Sequence, residues 1–229
     1  MKKAIGFYPC PDLDTAATTV VSYAGTRLLT ETIAKVGLDH ALSTVLEPWR
    51  PRLAVHDPAK VLLDLALALA VGGDCLSDIA LLRAEPALFG SVASDPTVSR
   101  TVDRLAADST AALAAIDTAR ATARAHAWAL AGQAAPDHAT DSANPLVIDV
   151  DATLVTAHSD KQGAAPTLKK GYGHHPLWAF VDHGPDGTGE PLAALLRPGN
   201  AWSNTAADHI TVIRAALRQL PGHKPGSRP

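Results

Sequence analysis

Leu146-Val147-Ile148-Asp149-Val150-Asp151-Ala152-Thr153-Leu154-Val155 sets two carboxylates into an apolar, β-branched run that follows Asn144-Pro145. Branching at Cβ favours extended backbone and the proline breaks whatever precedes it, so the run predicts a strand over residues 146–155. Side chains alternate along a strand. Asp149, Asp151 and Thr153 therefore share one face, with the two carboxylates about 6–7 Å apart along the chain. Two acids on a mostly buried strand are costly unless a positive charge stands beside them, and a divalent cation is the usual solution.

Around this stretch lie 229 residues, 47% of them hydrophobic, enough for a packed core in one large or two small domains. Cys10 and Cys75 are too few for a disulfide scaffold and too far apart for a thiolate zinc site, and no pair of histidines has a recognised ligand spacing with a third partner. Lys2-Lys3 gives the start a short basic flank without the apolar segment of a signal peptide, and no apolar run is long enough to span a bilayer. The expectation is a soluble, cytoplasmic protein with no membrane partner. Charge is uneven: residues 1–158 carry 12 Lys and Arg against 18 Asp and Glu, and residues 159–229 carry 8 against 5. The positive part begins just after the two aspartates, which suits a polyanion approaching from one side and equally suits ordinary variation in surface charge.

Before the acidic strand the pattern is helical. Gly25 to Val36 predicts a first helix closed by Gly37, and Asp39 to Leu46 a second that stops at Glu47-Pro48. Asp57 caps Ala59 to Val71, which is Leu and Ala nearly all round, broken by Lys60 and Asp64, and predicts a central buried helix without assigned chemistry. Ser77 to Ala84, a link over Pro86 to Val92, and a helix opened by Ser94-Asp95-Pro96 give residues 76–106 the outline of a helix-turn-helix. Val98, Val102 and Leu105 form its expected buried stripe. Thr97, Arg100, Thr101 and Arg104 form the opposite face, whose short polar and basic groups suit contact with DNA, although a solvated face has the same pattern. Thr101 to Ala131 continues as an Ala-rich helix anchored by Leu105, Leu113, Ile116 and Trp128. Gly132 to Pro145 is small, polar and proline-containing and marks a boundary, with a helical region over 1–135 and a linker over 136–145.

After the acidic strand comes a polar excursion from His158 to His175, in which Lys169, Lys170, His174 and His175 either meet a DNA backbone or face solvent. Pro176 to Asp182 predicts a second strand with Trp178 and Phe180 on one face, Pro185-Asp186-Gly187 a turn, and Leu192 to Arg197 a third strand. Asn204 or Thr205 caps a helix through Leu220 with Ile210, Ile213 and Leu217 as its buried stripe, and residues 221–229 have no order of their own. The fold class is α+β, helical first and β-β-β-α second.

Four motifs in order carry a resemblance: Asp151-Ala152-Thr153 on the acidic strand, Gly171-Tyr172-Gly173-His174-His175-Pro176, Leu195-Leu196-Arg197-Pro198-Gly199-Asn200, and Asn204-Thr205-Ala206-Ala207-Asp208-His209 before a helix. With Ala93 to Arg100 ahead of them, residues 20–220 resemble the DDE transposases of bacterial insertion sequences, in particular the IS1380-like group of the IS4-like set. The resemblance implies a DNA-binding helical region followed by a partial RNase H-like core over 146–220, acting on double-stranded DNA at terminal inverted repeats, with self-association into a homo-oligomer as a further expectation. It implies Mg²⁺ or Mn²⁺ ions held by three carboxylates, which serve phosphoryl transfer by activating the attacking oxygen and stabilising the leaving one. Asp151 matches the first catalytic, metal-binding Asp, and Asp149 is an accessory acid. In that family the second Asp follows the helix that here runs to Leu220, and the Glu lies farther on. The expectation is therefore a truncated transposase, left by a frameshift, truncation or split gene, and not competent alone.

Two other readings stay open. Asp149-Val150-Asp151-Ala152-Thr153 also fits the Asp-x-Asp-x-Thr motif of haloacid-dehalogenase-like phosphatases, with Asp149 as nucleophile and Asp151 as general acid/base; such enzymes need a parallel sheet with a later Lys and acidic pair. The non-enzymatic reading is a DNA-binding remnant that recognises element ends through the helical region.

Overall fold

A computed structural model of the protein describes residues 6–11, 23–184, 187–202 and 205–222. The expected turn at Pro185-Asp186, the Asn204 cap and tail residues 223–229 lie outside the described residues. The chain divides into two compact units, residues 1–126 and 127–229, the division falling inside a long helix.

In the first unit a 3₁₀ turn, Ala24–Thr26, leads into α1 (Arg27–Lys35), and Gly37, at φ +71°, turns the chain directly into α2 (Leu38–Val45). A second 3₁₀ turn, Glu47–Trp49, follows. Asp57 caps α3 (Pro58–Ala70) by accepting from the Ala59 N–H at 2.8 Å, with Pro58 at the position where a missing N–H costs nothing. As expected, α3 is buried along most of its length, and Val61, Leu63 and Leu67 join Leu46, Leu82 and Phe89 in the core. Each such side chain contributes about 1.5–3 kcal/mol by leaving water. The helix also buries its two charges. Lys60 Nζ donates to both Asp64 carboxylate oxygens at 2.5 and 2.6 Å, and Asp64 is 0% exposed. The Tyr8 hydroxyl donates to the same carboxylate at 3.0 Å and its ring lies under the Lys60 ammonium, so residues 6–11 are tied to α3.

Beyond α3, a 3₁₀ turn Leu76–Ile79 runs into α4 (Ala80–Arg83), and the expected link contains a further short helix, α5 (Pro86–Phe89). Then come α6 (Asp95–Ala106) and α7 (Ser109–Ala131). The continuous helix expected from Thr101 is thus broken at Ala107-Asp108. On α6 the buried residues are Val98, Thr101 and Leu105; Thr101 lies inside, donating to Thr97 O, because it stands three residues from Val98 on the same helical face. Leu113, expected as an anchor, is 61% exposed; small Ala112 and Ala119 make the contact instead.

In the second unit the acidic strand is shorter than the sequence run. β1 (Ile148–Ala152) ends where Thr153 N–H donates to Pro176 O, and the chain passes into a second sheet built from β2 (Val155–Thr156), β3 (Ala165–Pro166) and β4 (Tyr172–His174), in the order β2-β4-β3. The excursion expected as loop therefore holds antiparallel pairing. Gly173 permits it: a Cβ there would lie 2.1 Å from Val155 O. β5 (Leu177–Val181) and β6 (Glu190–Leu195) complete the first sheet, order β1-β5-β6, antiparallel throughout, with an irregularity at Ala179/Phe180. Among the described residues β1 is an edge strand, not a central one.

One face of that sheet, with Ile148, Val150, Leu177, Ala179 and Val181, packs under α8 (Ala206–Arg218). Of the stripe expected on α8, Leu217 is half-buried but the two isoleucines are not. Val212 and Ala216 are buried, whereas Ile210 is 50% exposed and Ile213 also faces outward. Ala216 lets the helix approach closely, and the ion pair from Arg197 Nη1 to Asp208 Oδ2, at 3.2 Å, fixes its rotation. Trp128, from the end of α7, belongs to this core and donates its indole N–H to Glu190 Oε2 at 3.1 Å.

Candidate active site and nucleic-acid interface

The alternation on β1 is the one expected. Ile148, Val150 and Ala152 turn inward, and Asp149 and Asp151 are exposed on the opposite face. Register pairs Asp149 with Phe180 and Asp151 with Trp178, so the acids share their face with two half-buried aromatic rings 6.1 Å apart. Neither carboxylate has a hydrogen bond or ion pair among the described residues.

Asp151 borders a cavity of about 350 Å³ whose other polar walls are Lys169, His175 and His209, with Leu154 and Leu168 beside them. Lys169 and Lys170 are exposed in the turn after β3, where Lys170 takes φ +61°. His175 is 8% exposed and its Nδ1 lies 2.9 Å from Ala201 O; His209 Nδ1 lies 3.0 Å from Thr205 O. A carbonyl only accepts, so each Nδ1 carries a proton and Nε2 is the ring atom left for other contacts. His174 is buried as well but does not line this cavity; its Nε2 lies 3.3 Å from Gln162 O, a consequence of its place in β4 rather than in a loop.

Arg197 stands in the Leu195 to Asn200 motif with no role expected of it. It is buried, donates from Nε to His175 O at 2.9 Å and from Nη1 to Trp202 O and Asp208, and its Nη2 has no partner. It joins the end of β6 to the His175 backbone and to the start of α8, and so holds both histidine-bearing segments. Arginine directly after an apolar strand, Leu195-Leu196-Arg197, was the available signal; so was Asp208-His209 at the start of a helix.

Exposed carboxylates are the oxygen donors that Mg²⁺ and Mn²⁺ take, so Asp149 and Asp151 fit such an ion in kind. In number they fall short: among the described residues no third ligand joins them, and the sole group of three lies elsewhere, at Asp74, Cys75 and Asp78. That group is a helix cap. Asp78 Oδ2 accepts from the Asp74 and Cys75 N–H groups, which hold its carboxyl below the usual range.

In the first unit Arg100 is exposed and Thr97 and Arg104 are half-buried. Arg100 donates to Thr97 Oγ1 at 3.2 Å, and Asp95 is paired with Arg83 at 2.7 Å. No helix among the described residues is long and apolar enough to cross a membrane.

Compared with known families, residues 10–228 match the one described as Transposase DDE domain group 1. No curated protein and no solved structure matches the chain.

Proposed function

The chain belongs to the transposase DDE domain group 1 family, whose business is DNA transposition, and from that premise we propose that it binds double-stranded DNA at element ends and supplies, through Asp151, the first carboxylate of a metal-dependent cleavage site. The observation that carries this reading is the condition of the β1 acids: exposed, on one face, and without partners among the described residues, beside a cavity walled by Lys169, His175 and His209. A carboxylate kept for the fold has partners; these have none among the described residues.

When bound, Mg²⁺ or Mn²⁺ supplies Lewis-acid polarisation of a phosphoryl oxygen and a nucleophilic oxygen at neutral pH. Asp151 and Asp149 would hold it. The Nε2 atoms of His175 and His209 can accept a proton from the attacking hydroxyl, and the Lys169 ammonium balances phosphate charge at the cavity mouth. The antiparallel order β1-β5-β6 followed by α8 supports an RNase H-like β-β-β-α beginning and runs against the phosphatase reading, which needs a parallel sheet. The IS1380-like motifs, terminal inverted repeats as target and self-association are part of this proposal.

One observation favours a second reading, DNA binding without cleavage: two carboxylates without a third ligand do not make a two-metal site. The chain alone is then inactive. The test has two arms. Substoichiometric Mn²⁺ broadens β1 amide resonances in the wild type and not in Asp151→Asn; equal broadening in both would sink the role of Asp151. Incubation with Mg²⁺ and a repeat-bearing duplex gives binding without nicking under the second reading, whereas nicking abolished by Asp151→Asn establishes a complete site.

A further inference from the structure

The loop between the Glu47–Trp49 turn and α3 and the helix α6 line an open cleft of about 230 Å³, with Pro51, His56 and Pro58 from the loop and the start of α3 and Thr97, Arg100 and Arg104 from α6. That is several times the room a single water needs. Its charge is one-sided. Among the described residues no acid lines it; of the acids next to its lining residues in the chain, Asp57 accepts from Ala59 N–H, Ser43 Oγ and Arg50, and Asp103 beside Arg104 is exposed, while Asp95 on the same helix accepts from Arg83. Arg104, half-buried, has no hydrogen bond or ion pair among the described residues, and Arg100 has only the Thr97 hydroxyl. His56 is half-buried and held below the usual histidine range by burial and by the Lys60 ammonium. Two guanidinium groups spaced four residues apart on one helix face, beside the Thr97 hydroxyl and facing the His56 ring, are cationic donors converging on a space with no carboxylate in its lining.

We propose that this cavity seats a phosphate of the DNA backbone, held by Arg100 and Arg104 against the Pro51–Pro58 loop. The proposal rests on the reading that the chain binds DNA, and it changes what α6 does there. With Thr101 buried and the arginines turned toward the loop, the helix grips the backbone and does not read base edges. Phosphate contacts fix orientation and carry no sequence information. The loop is shaped for approach: Ala54 N–H closes a turn onto Pro51 O, and Leu53 at its tip is 92% exposed.

The test compares the full chain with Arg100→Gln/Arg104→Gln, checking by circular dichroism that both melt alike. Duplex binding is followed by fluorescence anisotropy over a salt series, on repeat-bearing and on random sequence. The double variant should bind both duplexes about three- to tenfold more weakly, and the slope of log K against log salt should fall in magnitude by about one. Inorganic phosphate should shift the His56 ring resonances of the wild type and leave those of the variant unmoved. An unchanged slope with duplex binding retained overturns the proposal, as does a loss confined to the repeat sequence, which would mean base reading. A wild type that binds no duplex overturns the DNA reading of the chain; a His56 shift with phosphate would then still support the anion pocket, and no shift would overturn it too.

Discussion

Asp64 in the helical unit and Asp151 in the strand unit are the same side chain in opposite circumstances. Asp64 is fully buried and saturated, with the Lys60 ammonium on both oxygens and the Tyr8 hydroxyl on one. Asp151 is exposed, with nothing among the described residues bonded to it and a cavity beside it. The difference teaches how to separate an acid that holds a fold from an acid that is available for chemistry: count its partners and ask what its removal leaves stranded. The comparison is broken most directly at Lys60. Lys60→Met leaves the Asp64 charge buried without its cation and should cost the helical unit about 3–5 kcal/mol, measured as a shift in the urea midpoint. A cost under about 1 kcal/mol would mean the pair is not buried as described.

The same network gives a pH dependence. Burial, outweighing the Lys60 ammonium and the Tyr8 hydroxyl, pushes the Asp64 carboxyl up from its ordinary 3.8 to about 6. The folded chain then binds this proton more readily than the unfolded chain. Stability from Asp64 is present below about pH 4 and is lost as pH rises through about 6, amounting to no more than about 3 kcal/mol. Melting temperature followed from pH 4 to pH 7 should show that decline for the wild type, and Asp64→Asn should flatten it. A decline of equal size in Asp64→Asn would assign it to another group.

Local signals were legible in the sequence. The Asp57 cap acts on an N–H two residues away, Gly37 turns the chain where it stands, and the alternation of β1 is set residue by residue. What failed depends on partners distant in sequence. β3 and β4 form because Gly173 and Gly199 let backbones approach: a Cβ at Gly199 would lie 2.3 Å from Ala165 O. No window around residue 165 contains that fact. On α8 the larger aliphatics Ile210 and Ile213 suggested the buried face, but the sheet accepts the smaller Val212 and Ala216, and the rotation is set by Arg197 from β6. For the candidate site, Asp149 and Asp151 were visible as a pair, whereas Arg197 and His209 come to it only through the fold. A direct check contrasts adjacent positions: Val212→Ala should cost about 1–2 kcal/mol and Ile213→Ala less than about 0.5. Equal costs would restore the stripe read from the sequence.

The smallest effect on stability belongs to the acids with which the comparison began. Asp149→Asn and Asp151→Asn remove exposed charges that have no partner to strand, so neither should move the strand unit by more than about 0.5 kcal/mol. The substitutions should even help slightly, since each relieves repulsion from a like charge on the same strand face. Adding Mg²⁺ sharpens the contrast. An ion that binds the native acids stabilises the wild type by mass action and leaves Asp151→Asn where it was, while the Asp64 network of the helical unit is indifferent to it. A rise in melting temperature with Mg²⁺ that persists in Asp151→Asn would remove the distinction between the two kinds of acid; a rise confined to the wild type ties the cation to the β1 face.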